Sequence, residues 1–245
     1  MGEREAVALL WPDQARPKRG PKPRISLDLI VDGAIELADR EGLDAVSMQR
    51  IADGLGVTKM SLYRYAPGKA ELLALMLDRA FGPAPELAAP ELAGDQLAGE
   101  ASGWRQGLRS WALAMHAALA AHPWAIVLAV GVRPFGPNEL AWTEAGLRTL
   151  AATPLSGAER LDALATVAIH VRGLIQQSVV SAEVESGVAE LMAGVLEAHR
   201  DEHPETAAAF AEAAAADQRD QALSFGLERI LDGLAQRIDR LSRPS

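Results

Sequence analysis

From Ser26 the chain reads as helix. Ile30, Ala34, Leu37 and Ala38 recur on one face, Asp28 and Asp32 lie toward the positive end of the helix dipole, and Gly42 falls just past the last turn. Ser47 opens a second, short helix, "MQRIADGL", which Gly56 ends; Thr58 opens a third that runs to about Tyr65. "APGK" breaks the pattern before a fourth helix, "AELLALMLDRAF", stopped by Gly82-Pro83. Residues 83–103 are rich in Pro, Ala and Gly and read as a linker with at most one short helix. The helical period then returns at about 104–121, 124–131, 137–152, 157–182, 186–199 and 205–241, the last broken or bent in its alanine-rich run. Alternation of period two never persists beyond a few residues, and no segment repeats. The spacing therefore predicts an all-α protein.

Residues 1–24 have no consistent helical period and finish in "RPKRGPKPR", with five positive charges and three prolines. They read as a flexible basic arm, suited either to entering a narrow minor groove through residues such as Arg19 and Arg24 or to serving as a solvated tail. The organisation expected is an arm at 1–24, a four-helix module at 25–82 and a larger helical module at 83–241.

The second and third helices of the small module have the spacing of a helix-turn-helix. Ile51, Ala52, Leu55, Val57, Leu62 and Tyr65 form the apolar set, Ala52 lets the helices approach, and Gly56 takes the corner. Lys59, Met60, Ser61, Tyr63 and Arg64 are left outward on the third helix. These are groups that contact phosphates and base edges, so the corner reads as a recognition helix for the major groove.

The charge balance changes the picture in the same direction. The whole chain of 245 residues has a formal net charge of -9. Residues 16–81 nevertheless hold 11 Lys and Arg against 9 Asp and Glu, a balance of +2, while residues 82–245 hold 12 against 21. The front of the chain is thus the part suited to an anion. Cysteine is absent, which removes disulfides, thiolate zinc sites and cysteine nucleophiles and suits a reducing cytosol. No apolar run approaches the ~20 residues of a membrane span, and "AVALLW" is too short for the core of an export signal. A soluble, cytoplasmic protein is expected.

The stretch "ISLDLIVDGAIELADREGLDAVSMQRIADGLGVTKMSLYRYAPGKAELLALMLD", residues 25–78, resembles the DNA-binding domain of the TetR family of bacterial transcriptional regulators. The resemblance implies a homodimer that reads an inverted repeat in double-stranded operator DNA, usually as a repressor released by a small-molecule effector. By position it implies that Gln49, Lys59, Ser61, Tyr63 and Arg64 face the DNA and that Tyr65 and Lys69 hold phosphates. Many members carry an aromatic-aromatic-histidine sequence where this chain has "YRY", so Arg64 is a departure that could give its own base preference. More weakly, "GWRQGLRSWALAMHAALAAHPWAIVLAVGVRPFG" resembles the inducer domain of the tetracycline repressors, which bind their drug as a magnesium chelate through a histidine. Ala129 stands at the position of that histidine, and Gln177 at the position of a helper glutamate. The resemblance thus implies a related scaffold with a different effector and no metal or other cofactor.

Four of the five tryptophans, Trp104, Trp111, Trp124 and Trp142, fall within 39 residues. Trp111 and Met115 share a helix face. With Trp142 they could wall an apolar pocket, Arg133, His170 and Gln177 supplying polar contacts, or they could simply be core. Trp104 is assigned to the core. Farther on, Leu223, Leu227, Ile230, Leu231, Leu234, Ile238 and Leu241 form a wide apolar stripe. Together with the helix of Leu161, Leu164, Ala168, Val171 and Leu174, this stripe suits a four-helix interface between two copies.

Catalytic signatures are weak. There is no G-x-S-x-G elbow and no phosphate-binding G-x-x-x-x-G-K-[ST] loop; "HRDEH", His199–His203, matches the H-x-x-E-H pattern of one zinc peptidase class but is followed at once by Pro204. No catalytic residue and no metal ligand is therefore assigned. Two other readings stay open at this level. A ligand-independent DNA-architectural protein would show no small molecule that weakens DNA binding, and a helical zinc hydrolase would show bound zinc with hydrolytic activity.

Overall fold

The computed structural model describes residues 2–12, 25–87, 101–131, 133–182, 185–215 and 221–243. These residues contain twelve α-helices, one 3-10 turn at Leu43–Ala45 and no strand. In chain order the helices are α1 (Gly2–Leu10), α2 (Leu27–Glu41), α3 (Met48–Gly54), α4 (Lys59–Tyr63), α5 (Lys69–Phe81) and α6 (Ala101–Ala121). They continue as α7 (Ala125–Leu128), α8 (Pro137–Thr149), α9 (Gly157–Ala182), α10 (Glu185–Ala198), α11 (Pro204–Ala215) and α12 (Ala222–Ser242). Packing divides the chain into two compact units, residues 1–164 and 165–245, with α9 running from one into the other.

The front of the first unit is built as its apolar pattern requires. Ile30, Val31, Ala34, Leu37 and Ala38 of α2 are buried, as are Ile51 and Ala52 of α3, Leu62 of α4, and Leu72, Met76 and Leu77 of α5. The caps expected at Ser47 and Thr58 are in place, their hydroxyls accepting from the amides of Arg50 and Ser61, each at 3.3 Å, and Ser26 caps α2 by accepting from the Leu29 amide at 3.2 Å. Arg79 of α5 ties back to α2 through Asp32, at 2.8 Å, and Asp28.

The structure departs from the sequence expectation at the N-terminus. Residues 2–10 are helical, and α1 lies along α5 with Ala6 and Leu10 buried. A helix of little more than two turns repeats its apolar pair only once, too seldom for a period to register against the basic stretch that follows. Residues 13–24, with Arg19 and Arg24, lie outside the described residues. So do residues 88–100 of the linker. The helix expected over 205–241, broken or bent in its alanine-rich run, is two helices, α11 and α12, with residues 216–220 between them outside the described residues.

In the second unit Val167, Val171 and Ile175 of α9 and Leu227, Leu231 and Ile238 of α12 are buried within the chain. The His170 ring lies against the backbone at Gly226, where an added Cβ would stand 2.2 Å from Cε1, and His170 Nε2 donates to the Leu223 carbonyl at 3.2 Å. The apolar stripe of α12 is thus partly core. Leu223, Ile230 and Leu234 remain half-buried, and Phe225 and Leu241 exposed. On α9 itself, Leu161 and Ile169 are exposed.

Candidate nucleic-acid interface

The corner between α3 and α4 is shaped by two small residues. Gly56 has a φ of 64°, a left-handed conformation that side chains disfavour, and Ala52 is fully buried at the crossing. The Val57 amide closes the corner by donating to the Ala52 carbonyl at 3.0 Å. Leu62 is the one buried side chain of α4, and it orients the rest of the helix outward.

Lys59, Tyr63 and Arg64 are exposed, and Met60 is 77% exposed, while Ser61 and Tyr65 are half-buried. The helix is shorter than expected and stops at Tyr63, with Arg64 as its C-cap. Two cation-aromatic contacts brace this surface: Lys59 Nζ stands 5.7 Å from the centre of the Tyr63 ring, and the Arg64 guanidinium 5.4 Å from that of Tyr65. Ser61 Oγ and Thr58 Oγ1 lie 2.8 Å apart at the start of the helix. Gln49, exposed on α3, donates to Asp53 at 2.8 Å. Lys69 is exposed at the first position of α5. Arg50 pairs with Glu41 at 2.7 Å, holding the Glu41 carboxyl below the usual carboxylate range and fastening α3 to the end of α2. A solvent-facing row of cations, hydroxyls and aromatic edges on a rigidly capped corner can meet phosphates and base edges without rearrangement.

Residues 30–76 match the family model described as bacterial regulatory proteins, tetR family, and residues 98–238 match that described as the tetracyclin repressor-like C-terminal domain. The chain belongs to the TetR family. It is a DNA-binding transcriptional regulator. Among relatives, the HTH-type transcriptional repressor DrrR1 of Streptomyces coeruleorubidus is 35% identical over 239 residues, covering 93% of this chain and 84% of that one. An HTH-type transcriptional regulator of Saccharopolyspora erythraea is 34% identical over 191 residues, covering 77% and 76%. The fold is that of apo ActR from Streptomyces coelicolor, with a TM-score of 0.73 at 22% identity over 91% of this chain and all of that one. ActR has also been solved in complex with actinorhodin; that structure matches at a TM-score of 0.68 and 24% identity over 87% and 96%.

In this TetR-family chain the residues expected to meet the effector have the following places. Trp111 and Trp142 are buried and edge-on, their ring centres 6.3 Å apart, and Trp111 Nε1 donates to the Trp142 carbonyl at 2.9 Å. Met115 is buried one turn beyond Trp111, and Trp104 is buried as assigned. Arg133 makes a two-pronged ion pair with buried Glu139, one bond at 2.5 Å, so its charge is already balanced within the protein. His170 and Gln177 are seven residues apart on α9 and share a face; His170 is half-buried and Gln177 exposed. Ala129 is buried at the end of α7.

His199 and His203 lie in the turn between α10 and α11 rather than on a helix, with His199 Nδ1 3.4 Å from Glu202 and both side chains open to solvent. A metal grip by H-x-x-E-H needs one helical face, which the turn does not offer. Among the described residues no group of three or more His, Asp or Glu is placed to hold a metal ion, and none of their helices is long and apolar enough to cross a membrane.

Sequence reasoning missed two ties behind the DNA-reading corner. Asp39 of α2 accepts from Trp124 Nε1 at 2.6 Å and His122 Nδ1 at 2.9 Å. Asp78 of α5 accepts from the amides of Asn138 and Glu139 at 2.9 and 3.2 Å. Both partners lie 60 or more residues away in sequence. The available signals were an acid inside the apolar run "LMLDRAF" and a helix at Pro137 whose N-cap, Gly136, offers no side-chain acceptor.

Proposed function

We propose that this protein is a repressor that binds an inverted-repeat operator and leaves it when a flat, largely apolar or aromatic effector binds. The observation that carries this reading is the α4 surface: Lys59, Met60, Tyr63 and Arg64 are exposed above a buried Leu62 on a short, capped helix, in a chain of TetR type. Residues 25–82 serve the DNA, with Gln49, Lys59, Ser61, Tyr63 and Arg64 at the bases and Tyr65 and Lys69 on phosphates. Residues 83–241 serve the effector and the dimer.

The effector contacts are proposed from the sequence: Trp111, Met115, Arg133, Trp142, His170 and Gln177. With Ala129 where a chelating histidine would stand, binding needs no metal. The protein works in the cytoplasm and carries out no catalysis. Repression fits the role of DrrR1, a transcriptional repressor, and an aromatic effector fits the actinorhodin complex of ActR.

Loss of operator retardation on adding members of an aromatic compound library, with and without EDTA, tests the reading. A compound that releases DNA must bind free protein more tightly than the operator complex, because coupling is reciprocal. Release that requires a divalent metal would overturn the metal-free effector; a library containing actinorhodin-like quinones that never shifts the complex would count against the aromatic class.

A further inference from the structure

We propose that Asp78 is a positioning residue: by capping α8 it locks α5, and with it the recognition helix, in the orientation that fits the operator. This deepens the reading of an effector-released DNA-binding protein and rests on it.

Helices α5 and α8 terminate each other. The first amides of a helix have no partner within it, and Gly136 at the N-cap of α8 supplies none. Asp78 Oδ1 takes both the Asn138 and the Glu139 amide, at 2.9 and 3.2 Å, while Asn138 Nδ2 donates to the Asp78 carbonyl at 3.0 Å. In return Trp142 Nε1, one turn into α8, donates to the last carbonyls of α5, Phe81 and Gly82, both at 3.1 Å. The fit is tight. A Cβ on Gly136 would stand 2.1 Å from Asp78 Oδ1, so only glycine admits the carboxylate there.

The chemistry is costly for a merely structural contact. Asp78 and Glu139 are each about 7% exposed. Glu139 is balanced by Arg133, whereas the cation next to Asp78 in sequence, Arg79, is engaged with Asp28 and Asp32. Burial pushes the Asp78 carboxyl above the ordinary aspartate value, against the pull of the two amides. An apolar pair would pack at less cost, and what a buried carboxylate adds is a single geometry. Both amide bonds converge on one oxygen, so a small rotation of α8 strains both. On the other side α5 is packed on α2, α2 on α3 and α3 on α4, so the corner moves with it.

The absence of cysteine permits clean spin labelling. A single label at Glu36→Cys, exposed on α2, reports the separation of the two DNA-binding modules in the dimer; one at Arg148→Cys, exposed on α8, is the control. Both are placed in the wild type, in Asp78→Ala and in Asp78→Asn, which keeps an acceptor oxygen. Operator recovered from a random duplex pool supplies the second readout. Asp78→Ala should broaden the Glu36 distance distribution, leave the Arg148 distribution narrow, and weaken operator binding about tenfold, as if only about a tenth of the molecules were competent. The salt slope of binding should not change, because the bound state keeps its phosphate contacts. Asp78→Asn should restore the narrow distribution and the affinity. The proposal is overturned if Asp78→Ala leaves the Glu36 distances as in wild type, if both labels broaden together, if Asp78→Asn fails to rescue, or if the salt slope falls. The distances need neither DNA nor effector. Failure of the DNA-binding reading would appear in the duplex selection, failure of the joint in the labels.

Discussion

The corner at residues 47–69 and the tryptophan set at residues 104–142 are both rich in groups that could bind something, yet they present them in opposite ways. At the corner the polar and aromatic groups project into solvent from a buried apolar underside. In the tryptophan set the indoles are buried and spend their N–H groups on the protein itself: Trp111 on the Trp142 carbonyl, Trp142 on the end of α5, Trp124 on Asp39. One region displays chemistry on a rigid base. The other uses chemistry to hold helices together, and an effector that acts there would act by disturbing bonds already made.

The largest effect should separate the two regions by stability. Trp111→Ala should cost about 3–5 kcal/mol in denaturant unfolding, as truncation of a buried aromatic does, while Lys59→Ala and Arg64→Ala should stay within about 0.5 kcal/mol. A Trp111→Ala protein as stable as wild type would show the set to be a loose pocket wall, and the contrast would be lost.

The α12 stripe can be divided in the same manner. Ile238→Glu places a charge where the chain is already buried and should cost several kcal/mol of folding stability. Leu234→Glu acts at a half-buried position and should instead yield folded monomers by sedimentation, with weakened operator binding. If Leu234→Glu remains fully dimeric, another face makes the dimer.

On the DNA side, Arg64→Ala should cost about 1–3 kcal/mol and relax preference at one operator position, whereas Lys69→Ala should weaken all sequences alike and lower the salt slope by about one unit. Titrations against the operator and its single-base variants at several salt concentrations distinguish the two. Identical behaviour of both variants would remove the division into base and phosphate contacts.

The smallest effect concerns Asp78. An unfolded aspartate titrates near 3.8, and burial holds this one higher in the fold. Between the two values the folded chain binds the extra proton, so the contribution of this group to stability falls as pH rises through that window and is level above it. Asp78→Asn has no such slope. The melting-temperature difference, variant minus wild type, should therefore rise across the window and then stay constant; a difference independent of pH would show that burial does not hold the carboxyl up.

The contrast also explains what was legible in the sequence. Caps, corner and outward side chains of α3 and α4 are local consequences of residues within a turn or two of one another, so Ser47, Gly56, Thr58 and Leu62 announce them. The longer helices of the larger region were equally legible, because their apolar repeats run for three turns or more, whereas α7 is only a single turn, Ala125–Leu128, of the helix expected over 124–131. The helix α1 was not, since Ala6 and Leu10 make a single repeat. Nor were the partners of Asp39, Asp78, Arg133 and Trp142 as a set, because those bonds join residues brought together only by the fold. Arg133 illustrates the loss: Glu139 is only six residues on, yet the sequence does not show that the two are paired and that Glu139 is buried.

The account rests on paired copies of α4 reading a duplex, and selection from a random duplex pool, followed by titration of the recovered sequence, tests this most directly. The predicted result is an inverted repeat bound by one dimer, with half-site centres one helical turn or a multiple of about 34 Å apart and affinity that falls steeply with salt. Equal binding to every duplex, or tight binding of a monomer to a single half-site, would contradict it.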